Sequence, residues 1–254
     1  MDFERHVYAI QRYVQFTQPR YEPLSKSGVT PHPICCFGDP ATAVAVTVGV
    51  NPSAAEFENG LWPHEPMEHK ALAKECRGYF GRRDVASHHK FFTPWKQALQ
   101  SLGLSYESGD AAHVDLSPRA TRCIRDLKPG FENELFLEMV QQDLWMFFAT
   151  LDLCRKVKLL LIAGSVTGRY FMNEFLQRFA PNYGHALGGA FVRTAVKGPG
   201  KTCWHELADS KRKLPTFFCS SGPASKTPML LPQRIQANEL RLRKLLRVEA
   251  AAES

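Results

Sequence analysis

Long apolar runs, paired cysteines and low-complexity tracts are all missing from this chain of 254 residues, and each absence closes off a class of protein. A helix needs about 20 apolar residues to cross a bilayer, and no stretch of that length is present. The opening Met1-Asp2-Phe3-Glu4-Arg5 carries acids with no apolar region behind them, so a soluble protein of the cytoplasmic kind, nucleoid-associated in a bacterium, is expected. The seven cysteines (Cys35, Cys36, Cys76, Cys123, Cys154, Cys203 and Cys219) are odd in number and form no Cys-x-x-Cys pair. That predicts free, mostly buried thiols, with no structural metal and no iron-sulfur cluster. His64, His69, His88 and His89 lack the spacing of a zinc site. No cofactor is expected.

What the chain does have is ordinary apolar content, enough for one core and one domain over residues 1–254, and a surplus of base. Its 32 basic and 25 acidic side chains leave +7, which suits a polyanionic partner. Phe3, Val7, Ile10 and Val14 recur at helical spacing, so an amphipathic helix opens the chain and a proline-rich connection, Pro19 to Pro33, follows it within residues 1–40. Strands are expected over 44–50, 111–116, 158–163 and 216–220, with a helix near Pro94 to Leu102 and another from Ser165. Val140, Leu144, Phe147, Phe148 and Leu151 form one helical face, and Ile235, Leu242, Leu245 and Leu246 face inward on a last helix. A Gly- and Lys-rich excursion fills 184–213, and residues 249–254 form a fraying tail. Strands alternating with helices predict a parallel sheet covered on both faces: an α/β fold of three layers, α/β/α, around four mainly parallel strands.

The chemistry gathers at strand ends. Val44 to Ser53 is a β-branched run that ends in Gly49 and presents Asn51 and Pro52, and open α/β sheets bind ligands beyond the carboxyl ends of their strands. Asn51 there either orients a reacting water or closes an Asx-turn on its own backbone. A second strand ends in His113-Val114-Asp115-Leu116-Ser117-Pro118, and the last strand leads into Ser220-Ser221-Gly222-Pro223-Ala224-Ser225. Gly198-Pro199-Gly200-Lys201-Thr202 echoes a phosphate-binding loop, but Ala195 stands where its first glycine belongs.

Gly49-Val50-Asn51-Pro52-Ser53 resembles the first motif of the uracil-DNA glycosylase superfamily, in the Gly-x-Asn-Pro form of its mismatch-specific and single-strand-selective branches. The two segments at 113–118 and 220–225 stand where its later motifs would, and Leu159 to Ser165 is similar to its strand-Gly-helix unit, so the likeness runs from Val44 to Ser225. The resemblance implies that Asn51 holds the water, that Asp115 and Ser221 complete the catalytic set, and that Gly49, Val50, Pro52, Ser53 and Ser220 surround the base. Asp115 takes a place where many members carry asparagine, and Ser220, Ser221 and Gly222 a place where many carry histidine. An ionised Asp115 suits bases that present donors beyond those of uracil, or else it caps the turn at Ser117-Pro118.

Such an enzyme takes the base out of the stack and holds it on an aromatic ring. Tyr79, Phe80, Phe91 and Phe92 are the candidate rings, with Phe80 preferred because Gly78 and Gly81 bracket it; each is otherwise core. Gly222, Pro223, Ser225, Lys226 and Arg119 are expected on the DNA backbone. The expected function is therefore a monofunctional, monomeric DNA glycosylase that hydrolyses the N-glycosidic bond of uracil or a related deaminated base. The alternatives are a nucleic-acid-binding member of the same fold without activity, or a small-molecule hydrolase of nucleosides or nucleotides.

Overall fold

The computed structural model describes residues 2–25, 32–58, 62, 67–82, 91–122, 134–163, 196–198, 202–208, 213–219 and 235–247. It is a mixed α/β structure. Its sheet has six strands in the order β2-β1-β3-β6-β5-β4: β1 Ala45–Gly49, β2 Ala111–Asp115, β3 Leu159–Ala163, β4 Val196–Gly198, β5 Thr202–Ala208 and β6 Lys213–Cys219. β1, β3 and β6 run parallel, with Ala45 opposite Leu159 and Leu160 opposite Thr216. The four strands expected from sequence are all in the sheet. β5 extends it antiparallel to β6, and β4 pairs antiparallel with β5, where the Gly- and Lys-rich excursion was expected. Gly198 pairs with Thr202 across that hairpin, so the letters that echo a phosphate loop join strand to strand, not strand to helix.

The chain's contacts gather into two compact units. One holds Met1–Pro40, Gly49–Lys90 and His113–Arg155; the other holds Ala41–Val48, Phe91–Ala112 and Lys156–Ser254. In the second unit, β1 is buried along its length, and the hydroxyl of Thr47 at its centre shares a 2.6 Å hydrogen bond with Tyr106. A buried hydroxyl without such a partner would be costly, so the Tyr106 contact is what lets threonine sit inside this strand. α4 (Phe92–Ser101) ends on Gly103, whose φ of +74° needs a residue without a Cβ. Leu104 N–H then closes the helix end on the Leu99 carbonyl at 3.0 Å. The last helix, α6 (Glu239–Arg247), buries Leu242 fully and Leu245 and Leu246 by half, and Ile235 before it is buried. The helix expected from Ser165 lies outside the described residues.

In the first unit, α1 (Phe3–Tyr21) continues through Pro19 instead of stopping before it, and a 3-10 turn at Glu22–Leu24 follows. α1 buries Phe3, Val7, Ile10 and Val14, the residues picked out by their spacing, against α3 (His69–Gly78) and α5 (Glu134–Leu153). α5 buries the whole expected stripe from Val140 to Leu151. The segment carrying Phe37 lies on β2, exchanging two 2.8 Å bonds between Phe37 and His113 and so covering that edge. Cys35, Cys36, Cys76 and Cys154 are buried thiols that form no disulfide, as their number and spacing suggested. No described helix is long and apolar enough to cross a membrane.

His6 joins α1 to α5: its Nε2 lies 2.8 Å from the Thr150 hydroxyl and the ring is 1% exposed. Burial pushes its pKa from 6.5 down to about 4. The unfolded chain therefore takes up this proton at a pH where the folded chain refuses it. Stability from His6 is complete above 6.5 and is lost as pH falls towards 4. The difference amounts to about 3 kcal/mol. Denaturant unfolding across that range should show His6→Gln, which keeps a polar partner for Thr150, losing about 3 kcal/mol less than the parent. Parallel pH profiles for the two proteins would disprove the assignment.

Candidate active site at the ends of β1 and β2

β1 lies between β2 and β3, so the chain steps from β1 to β2 and then returns to β1's other side. At such a reversal the loops on either side diverge, which makes the carboxyl end of β1 the place where an α/β sheet takes a ligand. The chain that leaves β1 there does not wander. Leu116 N–H bonds the Gly49 carbonyl at 3.1 Å, Ser117 N–H the Val50 carbonyl at 2.9 Å, and Thr121 N–H the Pro52 carbonyl at 3.3 Å. Ala54 N–H returns a bond to the Thr121 carbonyl at 2.9 Å. The first two motifs are thus zipped together, and Gly49, Val50 and Pro52 use their carbonyls to hold that frame.

Asn51 is the pin. Its side-chain amide nitrogen donates to the Arg119 carbonyl at 3.1 Å, the Thr121 hydroxyl at 2.8 Å and its neighbour's Pro52 carbonyl at 2.9 Å. All three partners accept, and the Thr121 hydroxyl gives its own proton to the Arg122 carbonyl at 3.0 Å, which fixes the orientation of the amide. The Asn51 carbonyl oxygen is left without a partner among the described residues, on a half-buried side chain. It is no simple Asx-turn, because the strongest contact crosses to the other loop. Ser53 instead does local work: its hydroxyl accepts from Ala55 N–H at 3.2 Å and caps the short helix α2 (Ala55–Glu58).

Below the pin, Asp115 ends β2. Its Oδ1 lies 3.2 Å from His113 Nε2, two residues back on the same face of the strand, and both side chains are buried. Asp115 caps no turn: its carboxylate is directed along the strand, against the N-capping alternative. A Cβ built on Gly49 would stand 2.0 Å from Asp115 Oδ1 and 2.8 Å from His113 Nε2. Gly49 is therefore a packing requirement of this pair, and only hydrogen fits there.

Two further acids act on the same unit. Glu56 in α2 is 3% exposed and accepts from the Tyr79 hydroxyl at 2.7 Å. Burial pushes its carboxyl up to about 7, against the Tyr79 hydrogen bond, with the nearby Asp115 charge adding to the rise and Arg82 opposing it. Asp143 in α5 is fully buried; its Oδ2 takes the Ser117 hydroxyl at 2.7 Å and Arg119 Nε at 2.8 Å, while Oδ1 has no partner among the described residues. Burial holds Asp143 above the ordinary carboxylate range despite the Arg119 charge beside it.

That network corrects the expectation for Arg119. The side chain is 3% exposed, its guanidinium also donates to Gln18 at 3.1 Å and to Thr17, and it lies 5.0 Å over the Tyr21 ring. Its guanidinium is buried among partners inside the protein and is not presented to a DNA phosphate. Phe80 is corrected as well. It is 3% exposed and set edge-on to Tyr79 at 5.0 Å, and the positions of Gly78 and Gly81 are open to solvent, so those glycines mark no close approach. Phe80 is core. Phe91, 42% exposed and edge-on to Phe92 at 5.4 Å, belongs to the other compact unit. The aromatic body of the first unit is Phe37, Phe57, Trp62 and Tyr79, with Trp62 stacked on Tyr79 at 5.8 Å, Arg82 over both rings, and Trp62 Nε1 buried without a partner among the described residues.

Ser220, Ser221, Gly222, Pro223, Ser225 and Lys226 lie outside the described residues. Among the described residues no cluster of three His, Cys, Asp or Glu side chains is arranged to hold a metal. Sequence reasoning assigned no role to Glu56, His113 or Asp143. Asp143 did leave a signal, since it falls four residues after Met139 within an otherwise apolar helical stripe. Glu56 left none, because an acid in a surface-like turn is ordinary. Comparison with protein-family models and with curated proteins returned no match.

Proposed function

We propose that this protein is a DNA glycosylase that hydrolyses the N-glycosidic bond of uracil or a related deaminated base, with Asn51 as the residue that holds the water. The observation that carries this reading is the Asn51 amide: its nitrogen is anchored by three bonds and its carbonyl oxygen has no partner among the described residues, at the strand end where the sheet order reverses. A neutral, fixed acceptor beside a sugar that develops positive charge orients a water without forming a covalent bond, and it needs no reorganisation during the reaction. Asp115, at the end of the neighbouring strand, supplies the carboxylate that either reads donors on the base edge or polarises the water. Ser220 and Ser221 donate to the oxygen of the departing base. Phosphate contacts fall to Gly222, Pro223, Ser225 and Lys226, and the four strands β2, β1, β3 and β6 form the centre of a three-layer α/β/α arrangement. The protein acts as a monomer on DNA without a cofactor, in the cytoplasm or on a bacterial nucleoid.

Single-turnover cleavage of labelled oligonucleotides carrying uracil, hypoxanthine or xanthine, both single-stranded and duplex, tests this directly. One of them should yield an abasic product, and Asn51→Ala should slow that reaction by about 10²-fold or more, the usual effect of losing a group that acts in the transition state. A melting curve on the variant separates this from loss of fold. No abasic product from any substrate, in protein that still binds DNA, overturns the reading in favour of a non-catalytic nucleic-acid binder.

A further inference from the structure

Among the described residues of the first unit, α1 is the helix whose outer face carries exposed aromatic rings. Its inner face is buried on α3 and α5, yet Tyr8 is 52% and Phe16 84% exposed. These are two of the four large apolar side chains exposed among the described residues. Arg5 and Arg12 alternate with them, so the order along the stripe is Arg5, Tyr8, Arg12, Phe16, at spacings of three and four residues that put all four on one helical face. Both arginines are exposed, and neither has an ion pair or hydrogen bond among the described residues. Arg20, by contrast, is paired with Glu138 at 2.6 Å. Glu4, half-buried and four residues before Tyr8, is the only acid in the helix and borders the stripe at its first turn. An exposed phenylalanine gains nothing from water, and two guanidinium groups with no partner among the described residues outnumber the one acid beside them and attract an anion.

We propose that this stripe is a docking surface for single-stranded nucleic acid, with Phe16 and Tyr8 stacking on unpaired bases and Arg5 and Arg12 on the phosphates between them. The chemistry is that of a strand-tracking surface, in which every base offers a face to an aromatic ring and cations follow the backbone. The two arginines stand about 10 Å apart along the helix axis, at 1.5 Å per residue. That distance spans about three stacked nucleotides, taking 3.4 Å per step. A duplex keeps its base faces covered, so single strands are the fitting partner. The charge of the whole chain, +7, works in the same direction. The stripe is separate from the strand-end site and does not depend on cleavage there.

The test is fluorescence anisotropy of a labelled oligo(dT) strand on the full chain, with heparin as a polyanion that has no bases and anionic phospholipid vesicles as a third probe. Tyr8→Ala and Phe16→Ala should each weaken oligo(dT) binding about tenfold, within the range for a base stacked on an aromatic ring, and leave heparin binding unchanged. Arg5→Gln and Arg12→Gln should weaken both and flatten the salt dependence by about 0.7 per charge. All four side chains are exposed, so each variant should melt like the parent. The proposal is overturned if the double Tyr8→Ala/Phe16→Ala protein binds oligo(dT) as the parent does, if its losses on heparin match those on oligo(dT), or if only vesicle binding is lost. Asn51→Ala should still bind oligo(dT) through this face, so a failure of the glycosylase reading would appear as lost or absent cleavage with this binding intact.

Discussion

Replacing Arg119 by methionine will lower the stability of the protein by about 3–5 kcal/mol, the cost of removing one partner of a buried ion pair and leaving the other charge uncompensated. The geometry leaves Asp143 no alternative. It is fully buried, and among the described residues its Oδ1 already lacks a partner and only the Ser117 hydroxyl would remain on Oδ2. Methionine fills the volume of the arginine stem, so the loss reports charge more than packing. The pH dependence gives the sign. Asp143 is already held above the usual carboxylate range in the parent, and without the guanidinium it rises further. A carboxyl with a folded pKa above its unfolded value is stable when protonated and loses that stability as pH rises through the folded pKa. The deficit of Arg119→Met should therefore shrink in acid, and adding Asp143→Asn should recover part of it near neutral pH. Urea unfolding at several pH values measures all three proteins. A loss below about 1 kcal/mol would mean that the pair is solvated and that Arg119 is available to a ligand after all.

This pair also explains why one part of the site could not be read from sequence. Arg119 follows the second motif among other basic residues, and a basic cluster reads as a phosphate surface. Whether an arginine points outward depends on what the fold places behind it, here Asp143 from α5 and Thr17 and Gln18 from α1, none of them near it in the chain. Phe80 failed for the same reason: the glycines beside it suggested close approach, but they are open and the ring is packed on Tyr79. Periodicity, by contrast, is local information. The buried residues of α1 and α5 and the positions of β1, β2, β3 and β6 were all legible, because an apolar face must repeat with the period of its own element. β5 was not, since its residues do not alternate: Cys203 and Trp204 are adjacent apolar residues, and His205 and Glu206 adjacent polar ones. The junction of the first two motifs lay between these cases. Glycine followed by Asn-Pro at a strand end marked the place, but the bond from Asn51 to Thr121 joins positions 70 residues apart.

Gly49→Ala is the substitution that should do most damage with the fewest atoms. The added methyl would lie 2.0 Å from Asp115 Oδ1 and 2.8 Å from His113 Nε2, so it cannot enter while both side chains keep their places. Asp115 is 6% exposed and His113 1%, which leaves neither room to swing away without dismantling the contact between them. Overpacking of a filled interior costs about 1–3 kcal/mol and sometimes more, and a clash with a hydrogen-bonded polar pair belongs at the upper end, about 3 kcal/mol. The same displacement removes Asp115 from the strand end, so oligonucleotide cleavage should fall along with stability. The double variant Gly49→Ala/Asp115→Ala settles the cause. Truncating Asp115 removes the nearer atom and lets the His113 ring relax, so it should be more stable than Gly49→Ala alone by about 2 kcal/mol, although Asp115→Ala by itself destabilises. Such coupling between two sites in contact is what a shared space produces, and two additive losses would show that Gly49 is needed for its backbone and not for the room it leaves.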